Sequence, residues 1–125
     1  YPTPGPVVDA FLDRIDWFRV RSFLEPCAGD GAIIDRAAAR MTSPRQLVRG
    51  VELRHGGPGF IRADYLELPQ LGVSLEHPHT IAGPHLDAFD LAITNPPFNL
   101  AGQFLEKLLR ECVTVCLLLR ASWPA

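Results

Sequence analysis

The segment DLAITNPPFNL, residues 90–100, ends an apolar run with side chains that could bind a planar amino group. Asn95 offers a side-chain carbonyl as an acceptor, and Pro96 offers a backbone carbonyl whose direction the adjoining Pro97 restricts. Two acceptors placed in this way can accept both hydrogens of an amine, which favours the pyramidal, more nucleophilic form of its nitrogen. Phe98 could stack on the ring that carries the amine, an interaction that contributes about 1–3 kcal/mol per base. The pattern predicts a site that activates a ring-bound amino group.

A second motif, EPCAGDGAI, begins at Glu25 after a short β-like run. Gly29 and Gly31 allow a tight turn from a strand into a helix and let a ligand approach the backbone closely. The third glycine of a dinucleotide-binding fingerprint is missing, because Ile34 occupies its place. Glu25 and Asp30 would also repel a pyrophosphate. This loop therefore suits a ligand that carries positive charge.

Two further carboxylates follow later strands of the predicted fold. Glu52 lies about 20 residues beyond the glycines, where an acidic side chain can accept both hydroxyls of a ribose. Asp64 could accept a hydrogen bond from the exocyclic amine of adenine, although it could equally cap a turn. Together with the acidic glycine loop, these residues describe a pocket for an adenosine with a cationic tail. S-adenosylmethionine fits that description and NAD does not.

Composition and charge limit the classes of protein. A length of 125 residues, 47% hydrophobic and 21% charged, is typical of one globular domain with a real core. The formal net charge of -2 gives no overall basic surface, which weakens the case for tight nucleic-acid binding by charge alone. The three cysteines form no CxxC pair and the loop histidines lack a convincing fourth ligand, so we expect reduced thiols and no metal. No apolar run could span a bilayer and no signal peptide is visible, so we expect a cytoplasmic protein without membrane contact.

Strand-like and helix-like segments alternate along the chain. Helical spacing of apolar residues predicts helices over residues 6–17, 31–41 and 101–112. Short apolar runs predict strands at residues 22–25, 46–53, 60–64, 90–94 and 113–119. Residues 67–89 have no clear period and are interpreted as a loop with one helical turn. This order predicts an α/β fold with a mostly parallel sheet and helices on both faces, in which ligands bind beyond the carboxyl ends of the strands.

The order and spacing of the motifs resemble the catalytic domain of S-adenosylmethionine-dependent, amino-directed DNA methyltransferases, above all the adenine-N6 group. EPCAGDG resembles their cofactor loop, NPPF resembles their Asn/Asp-Pro-Pro-aromatic catalytic motif, and YPTP resembles the Thr-Pro segment that precedes the loop in one topological class. The resemblance covers most of the chain and implies one Rossmann-like, class I methyltransferase domain over residues 1–125. It implies transfer of a methyl group from S-adenosylmethionine to the N6 amine of adenine in DNA, with DNA as the partner.

The resemblance also implies roles for individual residues. The catalytic residues that handle the target amine are then Asn95, Pro96, Pro97 and Phe98. The cofactor contacts are then Thr3, Pro4, Glu25, Pro26, Ala28, Gly29, Gly31, Glu52, Leu53, Asp64, Tyr65 and, near the methionine end, Asn95.

Two departures from the family pattern concern the surroundings of the site. The family's sheet normally continues past the fifth strand, whereas this sequence ends at RASWPA, and a separate target-recognition domain is lacking. The run VTVCLLL is interpreted as a strand buried on both faces, so an uncovered edge there would be an aggregation hazard. We therefore expect residues outside this sequence, a second copy of the chain or a partner subunit to complete the sheet or the recognition surface.

Alternatives remain open. The same chemistry suits other planar nitrogens: cytosine N4, a base in RNA, or a glutamine side chain of a protein. Enzymes that methylate glutamine usually carry tyrosine at the position of Phe98, which favours a nucleic acid modestly. The non-enzymatic alternative is an inactive, cofactor-binding partner subunit. The lack of a recognition domain and the mild acidity favour it, whereas the intact NPPF motif and glycine loop oppose it.

Overall fold

Helices and strands alternate in the computed structural model, which describes residues 4–29, 31–54, 60–74, 76–83 and 86–119. The helices are α1 (Gly5–Leu12), α2 (Ala32–Arg40) and α3 (Ala101–Glu111). The strands are β1 (Ser22–Glu25), β2 (Leu47–Glu52), β3 (Phe60–Arg62), β4 (Phe89–Thr94) and β5 (Cys112–Leu117). Short 3-10 turns occupy Trp17–Arg19, Tyr65–Glu67 and Phe98–Leu100.

The five strands form a single parallel sheet in the order β3-β2-β1-β4-β5. Phe23 in β1 pairs with Val48 of β2 on one side and with Leu91 of β4 on the other. The sheet grows in one direction from β1 to β3 and in the other from β4 to β5, so the switch in strand order lies between β1 and β4. The predicted α/β class with a parallel sheet is confirmed.

Helices cover both faces of the sheet, and each face has its own apolar core. Phe23 and Leu24 are neighbours in β1 and point to opposite cores because side chains alternate along a strand. One core contains buried residues of α1 and α2, including Leu12 and Ile34. The other contains residues of α3 and of the long segment between β3 and β4. This arrangement holds the carboxyl ends of the strands together at one edge of the sheet.

Helix α1 is shorter than its apolar periodicity predicts. It ends at Leu12 instead of continuing to Trp17. The Leu12 carbonyl accepts hydrogen bonds from the Ile15 N–H at 3.1 Å and from the Trp17 indole Nε1 at 2.8 Å. These donors cap the helix end, and Trp17 reaches the core from a separate 3-10 turn. The prediction of one helix to residue 17 was therefore wrong, although Val8 and Leu12 are buried in the core as expected and Val7 is exposed.

The long connection between β3 and β4 also differs from expectation. Its helical turn lies at Tyr65–Glu67, at the start of the connection, because the Asp64 carboxylate caps it by accepting from the Leu66 N–H at 3.1 Å. Further along, isolated antiparallel bridges join Leu71 to Ala82 and Val73 to Asp87. The segment thereby covers the sheet face where a crossover helix would otherwise pack.

Strand β5 corrects the expectation of a strand buried on both faces. Val113 is 73% exposed, and Thr114 is exposed as well. Within the described ranges, β4 is the only strand that pairs with β5. An apolar run shows that a strand is hydrophobic but not how many neighbours it has, and this run lies at the edge of the sheet that the described residues form.

Gly50 in β2 allows α2 to pack closely, since a Cβ there would lie 2.7 Å from Ile34 Cδ1 and 3.0 Å from Phe60 Cδ1. We expect Gly50→Ala to lower the free energy of unfolding by about 1–3 kcal/mol, because overpacking forces neighbours out of position. Urea denaturation measures the loss. Gly102→Ala in α3 is the control, because nothing lies within 4 Å of its Cβ position. It should leave stability unchanged or raise it, and equal losses in both variants would contradict the packing argument.

Candidate functional site

A cavity of about 760 Å³ lies at the carboxyl ends of β1 and β4, where the strand order switches. Open α/β sheets bind their ligands at this position because loops from diverging helices leave a crevice there. The described residues that line it come from the segments after β1 and β4, from the end of β5 and the residues after it, and from the start of α1 and the residue before it. They are Pro4, Val7, Cys27, Asn95, Pro96, Pro97, Phe98, Leu117, Leu118 and Leu119.

The predicted amine-binding corner forms one wall of this cavity. Asn95 directly follows the end of β4 at Thr94, and Pro96 beside it is buried. The Leu118 N–H donates to the Thr94 carbonyl at 2.9 Å, which ties the segment after β5 to the end of β4. The corner is therefore held by two strands, and its acceptors have little freedom to move.

Phe98 lies at the cavity on a 3-10 turn that leads directly into α3. The Leu100 N–H donates to the Pro97 carbonyl at 3.0 Å and closes the turn. The Phe98 side chain is 44% exposed, although exposure of a large aromatic ring to water is unfavourable. A ring held half-exposed beside acceptor groups is available to stack on another flat ring.

The glycine loop has the backbone shape that its sequence predicts. Gly29 and Gly31 have positive φ angles of 56° and 90°. The Ala28 N–H donates to the Val51 carbonyl at 2.9 Å, which joins the loop to β2. A Cβ on Gly31 would lie 2.8 Å from Asp35 Oδ2, whereas a Cβ on Gly29 would meet nothing within 4 Å. Gly31 is needed for the turn, and the Gly29 backbone faces open space that a ligand can reach.

Glu25 is a buried carboxyl group beside the cavity. It is 1% exposed, and its Oε2 accepts a hydrogen bond from the Cys27 N–H at 3.1 Å. Burial raises its pKa to about 8, and the charge of Glu52 adds to that effect. The nearby Thr94 hydroxyl lowers the pKa, although among the described residues it reaches no partner with hydrogen-bond geometry. Near neutral pH the group therefore holds its proton, and a cation beside it would favour the ionised form.

Cys27 contributes a sulfur atom to the cavity wall. Burial and the carboxylates of Glu25 and Glu52 raise the pKa of its thiol to about 11. A thiol that keeps its proton is a poor nucleophile. Its part in the site is therefore to line the cavity.

The remaining predicted cofactor residues lie further along the same edge of the sheet. Glu52 is buried at the end of β2 and accepts from the Arg54 N–H at 3.3 Å, while Leu53 beside it is 59% exposed. Asp64 follows β3 and caps the next turn through Oδ1. Tyr65 is only 2% exposed and turns its side chain into the core, so only its backbone lies near this edge. These residues are not among the described lining of the cavity.

The structure thus brings together residues that are far apart in sequence. Pro4 and the NPPF segment share one cavity with Cys27, and the buried Pro26 and Ala28 flank that cysteine in the glycine loop. The predicted contact Thr3, the loop residue Asp30 and the loop histidine His85 lie outside the described residues. The predicted site residues did not include Val7, Cys27 or residues 117–119. The leucines could have been expected there, because they end or follow a parallel strand and so reach the same edge.

No group of three or more His, Cys, Asp or Glu side chains in the described ranges is placed to hold a metal ion. No helix in the described part of the chain combines the length and the apolar character that crossing a membrane requires.

Comparison with solved structures supports the fold. The crystal structure of the putative methylase HI0767 from Haemophilus influenzae superposes with a TM-score of 0.63 and 19% sequence identity. The match covers 97% of this chain and 83% of that chain. No family model matches the sequence, and no curated protein matches it either. The chain therefore shares the parallel-sheet architecture of that protein.

Proposed function

We propose that this chain is an S-adenosylmethionine-dependent methyltransferase that acts on the exocyclic N6 amine of adenine in DNA. The observation that carries the proposal is the cavity at the switch point, in which Asn95, Pro96 and Phe98 face the turn that follows β1. The fold shared with the putative methylase HI0767 supports the same reaction class.

The residues at this edge fit the cofactor. The open space over Gly29 admits a ligand close to the backbone. The Glu25 carboxyl group suits the positively charged methionine end, Glu52 suits the ribose hydroxyls, and Asp64 suits the adenine amine. When bound, S-adenosylmethionine supplies a methyl group attached to a positively charged sulfur.

The residues of the chain then bind and orient the acceptor. Asn95 Oδ1 and the Pro96 carbonyl accept the two amine hydrogens, which draws electron density onto the nitrogen. Phe98 stacks on the base. Val7, Leu118 and other cavity residues form an apolar wall, against which a bound base displaces water and so strengthens the hydrogen bonds inside the site.

The half-exposed position of Phe98 suits a base that enters from outside. A base in duplex DNA must leave its stack to reach such a cavity, which costs a few kcal/mol. Stacking on an aromatic ring offsets about 1–3 kcal/mol of that cost. A single-stranded base or a glutamine side chain has no such cost. A transfer assay that compares DNA, RNA and protein therefore identifies the substrate.

Transfer from tritiated S-adenosylmethionine to unmodified DNA, RNA and protein tests the proposal. We expect incorporation into DNA, with the label recovered as N6-methyladenine after digestion. Calorimetry with S-adenosylhomocysteine measures cofactor binding separately. Label in cytosine, in RNA or in a glutamine side chain would keep the reaction class and replace the substrate. Binding without transfer to any substrate would indicate an inactive partner subunit, and absence of binding would overturn the proposal.

A further inference from the structure

A cluster of charged and polar side chains lies in the core between α3 and the connection that follows β3, and it has no part in the function proposed above. It consists of Tyr65, Lys107 and Glu111, which we call the Glu111 cluster. These residues are 2%, 8% and 1% exposed, respectively. Lysine and glutamate are rarely buried to this extent unless they are paired.

Every charge in the Glu111 cluster has a partner. Glu111 Oε1 accepts from the Tyr65 hydroxyl, and Oε2 accepts from the Lys107 ammonium and, at 2.7 Å, from the Leu71 N–H. Lys107 Nζ also donates to the Pro69 carbonyl at 3.2 Å and lies 4.2 Å from the centroid of the Tyr65 ring. The carboxylate therefore holds three donors from three different segments in fixed positions.

Stability alone does not account for this arrangement. Removing two charges from water costs about as much as the ion pair returns, and apolar residues of the same volume often stabilise a core equally well. A satisfied polar network does something that an apolar contact cannot, because each hydrogen bond requires one direction and one distance. The cluster therefore fixes the relative positions of the segments that it joins.

The cluster joins the segment that carries Asp64 to the helix that follows the amine-binding corner. Tyr65 directly follows Asp64, and α3 begins directly after the turn that carries Phe98. The Tyr65 ring packs against Phe104 of α3 with a centroid distance of 5.4 Å. Its hydroxyl donates a hydrogen bond to Glu111, the last residue of the same helix. Both ends of the Tyr65 side chain are thus fixed, which fixes the backbone of the turn that Asp64 caps.

We propose that Glu111 and Tyr65 are positioning residues, which hold the Asp64 carboxylate in the orientation that recognises the exocyclic amine of the adenosyl group. The inference rests on the proposed function, because it assigns Asp64 to the adenine end of the cofactor. Asp64 Oδ1 already accepts from the Leu66 N–H at 3.1 Å, so the position of the turn determines where the carboxylate points. A shift of that turn would misdirect Asp64 without changing any residue at the edge of the sheet.

Two ligands that differ only at the adenine amine test this role. S-adenosylhomocysteine carries the amine, and its 6-deamino analogue, in which purine replaces adenine, carries only hydrogen at that carbon, keeps the ring nitrogens as acceptors and has no donor there for a carboxylate. We expect wild-type protein to prefer the first by about tenfold or more in Kd, because a charged hydrogen bond is lost with the second. Tyr65→Phe, which removes one oxygen atom, should reduce that preference severalfold, and Asp64→Asn should reduce it similarly. Isothermal calorimetry measures both constants.

A matched variant separates positioning from general destabilisation. Leu12→Ala creates a cavity in the core on the opposite face of the sheet and lowers the melting temperature without contact to the Glu111 cluster. We expect it to leave the ratio of the two Kd values unchanged. Lys107→Met keeps the apolar stem and removes the charge, so it supplies a second variant if Tyr65→Phe is too mild to measure. It should lower the ratio in the same direction.

The possible failures are distinguishable. If wild-type protein binds neither ligand, the proposed function is wrong and the inference is wrong with it. If wild-type protein binds and discriminates, but Tyr65→Phe and Lys107→Met keep the full ratio while Asp64→Asn loses it, the positioning role is overturned and the proposed function stands. If the wild type binds both ligands with equal affinity, Asp64 does not recognise the adenine amine, and the positioning role is wrong as well.

Discussion

Asn95→Ala is expected to lower the rate of methyl transfer by about 10²- to 10³-fold, the range measured when one preorganised polar group that stabilises developing charge is removed. The substitution removes the side-chain acceptor and leaves the Pro96 carbonyl in place. The remaining acceptor can still bind the amine, but only one of the two N–H bonds is then polarised, so less electron density is drawn onto the nitrogen. Single-turnover kinetics with saturating tritiated cofactor measure the loss in the chemical step.

Asn99→Ala is the matched control for this prediction. Asn99 is an exposed asparagine in the same turn as Phe98 and is not among the described residues that line the cavity. Its replacement should leave the rate within about twofold of wild type, as is usual for a surface substitution. Equal rates for Asn95→Ala and wild type would remove Asn95 from the catalytic assignment. A large loss in S-adenosylhomocysteine affinity with an unchanged rate would place Asn95 at the cofactor instead.

Glu25→Gln is expected to change how stability depends on pH. Below pH 4.5, the ordinary pKa of glutamate, the carboxyl group is protonated in both the folded and the unfolded chain. Between that pH and about 8, the unfolded chain loses the proton and the folded chain keeps it, so the wild type loses stability as pH rises. Each unit of difference between the folded and the unfolded pKa corresponds to about 1.4 kcal/mol. The wild type therefore loses several kcal/mol of unfolding free energy over this range. Glutamine has no proton to lose, and its amide oxygen can still accept from the Cys27 N–H.

The free energies of unfolding of the two proteins should therefore diverge as pH rises. The advantage of Glu25→Gln over wild type should grow from pH 5 to about 8 and then stay constant, because above the folded pKa both states of the wild type are ionised. Urea denaturation at half-unit pH steps measures the difference. Asp35→Asn, at an exposed position in the first turn of α2, is the control and should produce no such divergence. A difference that is constant over the whole range would show that Glu25 is ionised at neutral pH.

Much of the fold could be predicted because its signals are local. Predicted strands at residues 22–25 and 90–94 match β1 and β4 to within one residue. The turn after β1 follows from Gly29 and Gly31, since glycine adopts positive φ at no steric cost. The α/β class then follows from the alternation of strands and helices. The roles assigned to Asn95, Phe98 and the cofactor residues remain predictions that the experiments above test.

Prediction failed where the decisive contact comes from outside the helix or strand concerned. Helix α1 ends early because the Trp17 indole, from outside the helix, binds the Leu12 carbonyl. Strand β5 is half-exposed because, among the described residues, it lies at the edge of the sheet, which the apolar run VTVCLLL cannot reveal. Tyr65 looks like an edge residue in the sequence, but its hydroxyl is bound by Glu111 from a helix that begins 36 residues later.

The sequence by itself determined which residue types the segments after the strands carry: carboxylates, glycines and the Asn95–Phe98 corner. Only the tertiary structure decided the strand order β3-β2-β1-β4-β5, and with it the proximity of the segments after β1 and β4. It also decided that Glu25 is buried, so that its carboxyl group keeps a proton near neutral pH. The physical reason is that residue type and spacing are properties of a chain segment, whereas burial and strand neighbours depend on segments that are remote in sequence.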